Sequence, residues 1–113
     1  MTLLQRMDAE RRAANERLRT ETRRQLRAAL EELLPGQTVI VFGSLTKPDR
    51  FSDASDADIA LAQEPPDLSV YQLISLLAER LGRPVDVVLL PECRFRHAIE
   101  RDGESWTLPD AQR

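Results

Sequence analysis

The sequence is poor in residue types that define whole classes of protein. Cys93 is the single cysteine, which excludes an internal disulfide and a cluster of thiolate metal ligands. Aromatic residues make up only 4% of the chain, so a core must be built from Leu, Ile, Val and Ala. His97 is the only histidine, and nothing is spaced to join it as a metal ligand. We therefore expect any metal site to be built from carboxylates.

Long apolar runs are also missing. No stretch approaches the roughly 20 apolar residues that a membrane-spanning helix needs. The charged N-terminus contains no hydrophobic segment typical of a signal peptide. We therefore expect a cytoplasmic protein with no membrane partner. The 113 residues correspond to one small domain that can bury one core.

Charge is distributed unevenly along the chain. The net charge is −3, but residues 1–34 carry +2 and residues 35–113 carry −5. An acidic body argues against direct nucleic-acid binding, which requires a basic surface. The arginines of the first segment alternate with acidic residues, which is typical of a solvated helix face. The acidic balance suits a domain that gathers carboxylates around cations.

The spacing of apolar residues predicts alternating helices and strands. Residues 2–34 contain no Gly or Pro before Pro35 and predict one long helix capped by Thr2. Strands are predicted at residues 38–42, 56–62, 85–90 and 105–108, with helices from an Asp67 cap to Leu81 and from Pro91 to Arg101. The expected fold class is α/β (α+β), a small mixed sheet flanked by helices with a long N-terminal helix.

The same pattern predicts domain organisation and burial. Residues 1–25 are expected to form a helical extension and residues 26–113 the domain itself. Trp106 is expected in the core and Tyr71 at its edge. The middle helix is expected to bury one stripe of six residues: Leu68, Leu73, Ile74, Leu76, Leu77 and Leu81.

Three aspartates interrupt otherwise apolar strands. Asp56 and Asp58 lie at positions i and i+2, so both point to one face, with α-carbons about 6.5–7 Å apart. Asp86 is alone in a run of Val and Leu, where a buried charge needs a partner. If the two strands are neighbours, the three carboxylates form a set of oxygen ligands suited to Mg²⁺. Two such ions can clamp the attacking and leaving oxygens of a phosphoryl transfer.

A Gly-Ser pair directly follows the first predicted strand. Gly43 allows a ligand to approach the backbone closely, and Ser44 offers a hydroxyl and an N–H group to a phosphate. Lys47, the only lysine, could meet a triphosphate oxygen. Alone, a Gly-Ser pair is mostly a tight turn and Asp-x-Asp is mostly a loop or cap pattern. Their conjunction in this order is more specific.

This conjunction resembles the signature of the DNA polymerase β nucleotidyltransferase superfamily, and the chain length resembles that of its minimal nucleotidyltransferase branch. The resemblance covers residues 26–108. Within this range, residues 95–103 are similar to the closing helix of that branch. It implies a polymerase-β-like nucleotidyltransferase fold. One departure is Pro48, which stands where family members often carry a flexible glycine.

The resemblance also implies roles for individual residues. Asp56 and Asp58 would bind two Mg²⁺ ions, and Asp86 would bind the catalytic ion and help to activate the attacking hydroxyl. The donor nucleoside triphosphate, ATP in the antitoxin branch, would be held by Gly43 and Ser44. Lys47 and Ser55 are also expected in the donor site.

Minimal nucleotidyltransferases are often encoded with a HEPN-domain ribonuclease toxin, so the resemblance implies an antitoxin. It would transfer AMP from ATP to a tyrosine of the toxin within a hetero-oligomer. The size of the chain agrees, because it leaves no second domain to hold an acceptor. One alternative is a non-catalytic module that neutralises its partner by occlusion, although occlusion needs none of the three aspartates. Another is a small-molecule nucleotidyltransferase, but those usually carry an extra substrate domain.

Overall fold

A computed structural model describes residues 1–110, which contain three α-helices and four strands. In chain order they are α1 (Leu3–Leu33), β1 (Thr38–Phe42), β2 (Ala57–Leu61), α2 (Val70–Leu81), β3 (Val85–Leu89), α3 (Arg96–Asp102) and β4 (Glu104–Thr107). Short 3₁₀ turns follow β1 at Gly43–Thr46 and β3 at Leu90–Glu92. The mixed α/β class with a long N-terminal helix is confirmed.

The strands form one mixed sheet in the order β3-β2-β1-β4. β1 is antiparallel to both of its neighbours, β2 and β4. β2 and β3 are parallel, and their register places Asp58 directly beside Asp86. The strand that carries Asp86 therefore lies at an open edge of the sheet, next to the strand that carries Asp58.

The long helix α1 is only partly integrated into the body. Thr2 caps it, and Gln5 completes a capping box by accepting a hydrogen bond from the Thr2 backbone N–H. Residues 1–14 are exposed apart from the half-buried Ala9, whereas Leu26, Ala29 and Leu30 are buried. Of the helices in residues 1–110, none is both long and apolar enough to cross a membrane.

The main core lies between the sheet and the helices α1 and α2. Trp106 belongs to this core, as expected, and packs there from β4. Phe51 is also fully buried, although it comes from the otherwise polar segment between β1 and β2. A smaller cluster formed by Ala60, Leu90 and Ile99 lies apart from the main core. The sheet is therefore supported by apolar contacts from several elements.

Two burial predictions for α2 are wrong. Tyr71 is 82% exposed and not at the core edge, and Leu76 is 38% exposed although it was placed in the buried stripe. Leu73, Leu77 and Leu81 are buried, and they follow one another at four-residue intervals. Only a narrow face of this short helix contacts the sheet, so apolar residues beside that face remain in solvent.

Several element boundaries also differ from prediction. Ser69, not Asp67, caps α2, because its side chain forms a capping box with Gln72. The predicted helix from Pro91 is a 3₁₀ turn, and α3 begins only at Arg96. β2 begins one residue later than predicted, so Asp56 precedes the strand. β3 and β4 likewise end one residue before their predicted ends.

The packing of α2 predicts different costs for two adjacent leucines. Leu77→Ala should lower the free energy of unfolding by about 2–5 kcal/mol, because it leaves a cavity at a side chain with no exposed surface. Leu76→Ala, the matched control, should cost less than about 1 kcal/mol, since its side chain is partly in solvent. Urea unfolding of both variants measures the difference. Equal costs would contradict this orientation of α2.

Candidate active site

Two aspartates face each other across neighbouring parallel strands. Asp58 in β2 and Asp86 in β3 are register partners, so their side chains lie on the same face of the sheet. The charge of the Asp86 carboxyl group acts directly on the carboxyl group of Asp58. The premise that Asp86 is a buried charge is wrong, because Asp86 is exposed at the sheet edge while Asp58 is half-buried. The pair therefore joins an inner carboxylate to an accessible one.

Burial raises the pKa of Asp58 from its ordinary value of 3.8 to about 6. The negative charges of Asp86 and Asp56 add to this effect, in that order, because like charges disfavour ionisation. All three contributions favour the protonated form of Asp58 when no cation is present. A divalent ion at this position would oppose each of them by compensating the carboxylate charge.

The third aspartate approaches the pair from the loop before β2. Asp56 is exposed and its charge acts on Asp58. Within residues 1–110, however, no group of three or more His, Cys, Asp or Glu side chains is gathered closely enough to hold a metal ion. The all-oxygen donor set nevertheless fits Mg²⁺, which prefers carboxylate oxygens and retains water ligands. The exposed Asp56 and Asp86 side chains would have to move closer to Asp58 to complete such a site.

Gly43 lies directly over the Asp58 carboxylate. A Cβ atom at Gly43 would lie 2.5 Å from Asp58 Oδ2, closer than any real contact of this kind. Its φ angle of 75° is also in the left-handed region that favours glycine. The turn can therefore pass this close to the carboxylate only because position 43 has no side chain.

The turn at Gly43–Thr46 is held by three hydrogen-bonded carbonyl groups. The Gly43 carbonyl accepts from Thr46 Oγ1 at 2.7 Å, and the Ser44 carbonyl accepts from the Lys47 N–H at 3.1 Å. The Leu45 carbonyl accepts from Arg19 Nε at 2.8 Å and from Arg23 Nη1 at 2.9 Å. No pattern in the sequence predicts this role for the two arginines.

Lys47 and Ser55, the other two residues predicted to contact the donor nucleotide, have different surroundings. Lys47 is exposed and lines a small cavity of about 190 Å³ together with Gly43 and Asp102. Ser55 is engaged inside its own loop, where its hydroxyl oxygen accepts a hydrogen bond from the Ser52 N–H at 2.9 Å. Lys47 is thus placed beside the Gly43–Thr46 turn. Binding of the donor nucleotide by Lys47 and by Ser55 stays a prediction.

Arg83 supports the loop that leads to Asp56, a function that the sequence reasoning missed. Its Nη1 donates to the carbonyl oxygens of Ser52 at 3.2 Å and Ser55 at 2.7 Å. Its guanidinium also lies 4.6 Å from the centre of the buried Phe51 ring. The one available signal was Phe51 itself, a lone aromatic residue in an otherwise polar segment. Together these contacts connect the start of β3 to the loop before β2.

The carboxylate pair beneath a glycine turn, on a small mixed sheet, is an arrangement suited to nucleotidyl transfer. The family described as "Nucleotidyltransferase domain" matches residues 23–108 of the chain. The chain belongs to this family, and membership indicates a transferase. No curated protein sequence matches the chain.

A solved structure also resembles the chain. It is described as "Crystal structure of the toxin-antitoxin with AMP-PNP", and the matching chain is 24% identical in sequence. The TM-score is 0.57, and the similarity covers 74% of this chain and 72% of the other. At this identity, the likeness supports the assignment of the fold.

The contact between Gly43 and Asp58 predicts a specific coupling. Gly43→Ala should destabilise the fold more than Gly82→Ala, a matched control with φ 65° and nothing within 4 Å of an added Cβ. Both changes introduce left-handed strain of roughly 1 kcal/mol, but only the first adds a clash with a carboxylate. Combining Gly43→Ala with Asp58→Ala should recover part of the loss in a double-mutant cycle. Additive costs would contradict the contact.

The raised pKa of Asp58 predicts a pH-dependent stability. The folded chain binds more protons than the unfolded chain between about pH 4 and 6, so this group's contribution to stability falls as the pH rises through that range. In EDTA at pH 7, Asp58→Asn should raise the free energy of unfolding by about 1 kcal/mol, a value discounted for solvent screening. The gain should disappear below pH 4.

Asp53→Asn is the matched control for this measurement, because Asp53 is an exposed aspartate in the loop before β2. Urea unfolding of both variants and the wild type across this pH range separates the local effect from general titration. If Asp58→Asn were no more stable than the wild type at pH 7, the electrostatic strain at Asp58 would be absent.

Proposed function

We propose that this chain is a metal-dependent adenylyltransferase antitoxin that transfers AMP from ATP to a tyrosine of a HEPN-domain ribonuclease toxin in the cytoplasm. The observation that carries the proposal is the apposition of Asp58 and Asp86 beneath Gly43, in a chain of the nucleotidyltransferase family. A protein that only occluded its partner would have no use for a carboxylate whose pKa is raised by burial and by a second carboxylate beside it.

On the donor side, Gly43 and Ser44 would hold the triphosphate. The absence of a side chain at Gly43 lets the backbone pass close to Asp58, which brings the turn and the carboxylates together. Lys47 lies beside the turn and would add a positive charge for a phosphate oxygen. Ser55 would contribute through the loop that positions Asp56.

The three aspartates would hold two Mg²⁺ ions. Asp58 and Asp86 would supply adjacent oxygen ligands, and Asp56 acts on Asp58 from the loop directly before β2. Bound Mg²⁺ would neutralise the triphosphate and lower the pKa of the acceptor hydroxyl. Asp56, Asp58 and Asp86 would therefore be required for transfer.

On the acceptor side, the exposure of Asp86 is the relevant feature. Asp86 belongs to the edge strand β3, so a hydroxyl on another protein can approach it without displacing any described residue of this chain. Asp86 would help to accept the proton of a tyrosine, whose pKa near 10 otherwise keeps it protonated at neutral pH. The hydroxyl would attack the α-phosphorus of ATP, the bond to the β-phosphate would break, and pyrophosphate would leave.

A protein partner is supported by two observations. The similar solved structure is described as a toxin-antitoxin with AMP-PNP, which contains both a protein partner and an ATP analogue. Large apolar side chains are also exposed at two places on this chain: Met1, Leu3, Leu4 and Met7 at the start of α1, and Tyr71, Leu76 and Phe95 on the body. Such residues are suited to contact another protein in a hetero-oligomer.

The proposal predicts AMP transfer that depends on Asp58. Incubation of the HEPN-domain protein with the wild-type chain, Mg²⁺ and ATP should add one or more AMP units, detected by intact-protein mass spectrometry. Asp58→Asn should reduce labelling by at least about a thousandfold. Losing the metal ions would raise the activation free energy by several kcal/mol, because the ions stabilise the transition state. EDTA should also abolish labelling.

Asp53→Asn, which alters an exposed aspartate away from the strands, should label the partner at the wild-type rate. Co-purification of each variant with the partner shows whether the complex is intact. No mass gain with the wild type, combined with full neutralisation of the toxin by Asp58→Asn, would establish occlusion instead. Labelling of a small molecule but not of the protein would indicate the small-molecule alternative.

A further inference from the structure

Two arginines of α1 reach the same carbonyl group in the Gly43–Thr46 turn. The Leu45 carbonyl oxygen accepts from Arg19 Nε at 2.8 Å and from Arg23 Nη1 at 2.9 Å. A carbonyl oxygen has two lone pairs, so these two donors can occupy both. Hydrogen bonds from charged donors are shorter and stronger than neutral ones. The turn is therefore attached firmly to α1 at this one peptide group.

Each arginine is itself held in place. Arg19 pairs with Glu16 at 2.8 Å, and its side chain is only 13% exposed. Arg23 pairs with Glu104 of β4 at 2.7 Å and lies 5.4 Å from the centre of the Trp106 ring. These contacts restrict both guanidinium groups, so the Leu45 carbonyl is held by groups that are themselves ordered.

The arginine contacts complete a pattern along the turn. The carbonyls of Gly43, Ser44 and Leu45 all accept hydrogen bonds, and only the third relies on a distant element. Because the peptide group is planar, fixing the Leu45 carbonyl fixes the peptide between Leu45 and Thr46, and so holds the far end of the turn that presents Gly43 and Ser44. Backbone donors that are oriented in advance bind an anion without a further ordering cost.

We infer that Arg19 and Arg23 are positioning residues for the donor triphosphate, acting through the Leu45 carbonyl on the Gly43–Thr46 turn. This inference rests on the proposed function, in which Gly43 and Ser44 hold the triphosphate. Arg19 lies before the segment that matches the family, residues 23–108. The N-terminal part of α1 therefore contributes to the donor site from outside the matched domain.

The test compares nucleotide affinity in single variants of the full chain. Titration with AMP-PNP and Mg²⁺ should show affinity about tenfold weaker for Arg19→Ala and for Arg23→Ala, as expected when a supporting contact behind a binding group is lost. Arg24→Ala is the matched control, because Arg24 lies on the same helix and pairs with the exposed Glu21 on the surface. It should bind AMP-PNP like the wild type. Arg19→Lys, which keeps the charge and one donor group, should recover part of the affinity.

Amide hydrogen exchange over residues 44–47 provides a second measurement that requires no nucleotide. Exchange there should be faster in Arg19→Ala and Arg23→Ala than in the wild type or Arg24→Ala, while exchange in the buried strand β1 stays slow. If Arg23→Ala fails to fold, Arg19→Ala alone decides the result. Faster exchange with unchanged AMP-PNP affinity would overturn the inference by showing a purely structural role. A wild-type chain that does not bind AMP-PNP would overturn the proposed function itself.

Discussion

The close approach of two like-charged carboxylates, Asp58 and Asp86, is the constraint on which the site depends. The parallel register of β2 and β3 imposes it, and the apolar packing around Asp58 makes it costly. Neighbouring features accommodate the pair. Position 43 has no side chain, and Asp86 remains in solvent at the sheet edge. The fold thus holds two carboxylates close together, and a bound cation would offset their mutual repulsion.

The backbone turn on one side of the aspartate pair is held by many hydrogen bonds, whereas the other side is open to solvent. On the donor side, the Gly43–Thr46 turn is held by its own hydrogen bonds and by arginines from α1. On the acceptor side, Asp86 is exposed on the edge strand β3, which pairs with only one other strand among the described residues. A preorganised donor site and an open acceptor side suit an enzyme whose second substrate is another protein.

The sequence pattern predicts the presence and order of the described helices and strands, because each of them has a local cause in the sequence. The β-branched run Thr38–Phe42 is a strand with the predicted bounds, and α2 ends at the predicted Leu81, where Gly82 takes the left-handed conformation. Tyr71 and Leu76 were misplaced because helical periodicity locates an apolar face without showing how much of it the sheet covers. The segment after Pro91 was misread since a proline that can start a helix can equally start a 3₁₀ turn.

The chemistry of the site can be read from residue identity and order alone: three aspartates, a Gly-Ser pair and the order in which they occur along the chain. The fold decided that Asp58 lies opposite Asp86, since pairing between residues 28 positions apart depends on the path of the whole chain. It also decided that Arg19 and Arg23 hold Leu45 and that Arg83 holds the loop before Asp56. In each of these contacts an arginine side chain donates to a backbone carbonyl group far away in the sequence, and no local sequence pattern predicts which carbonyl group that is.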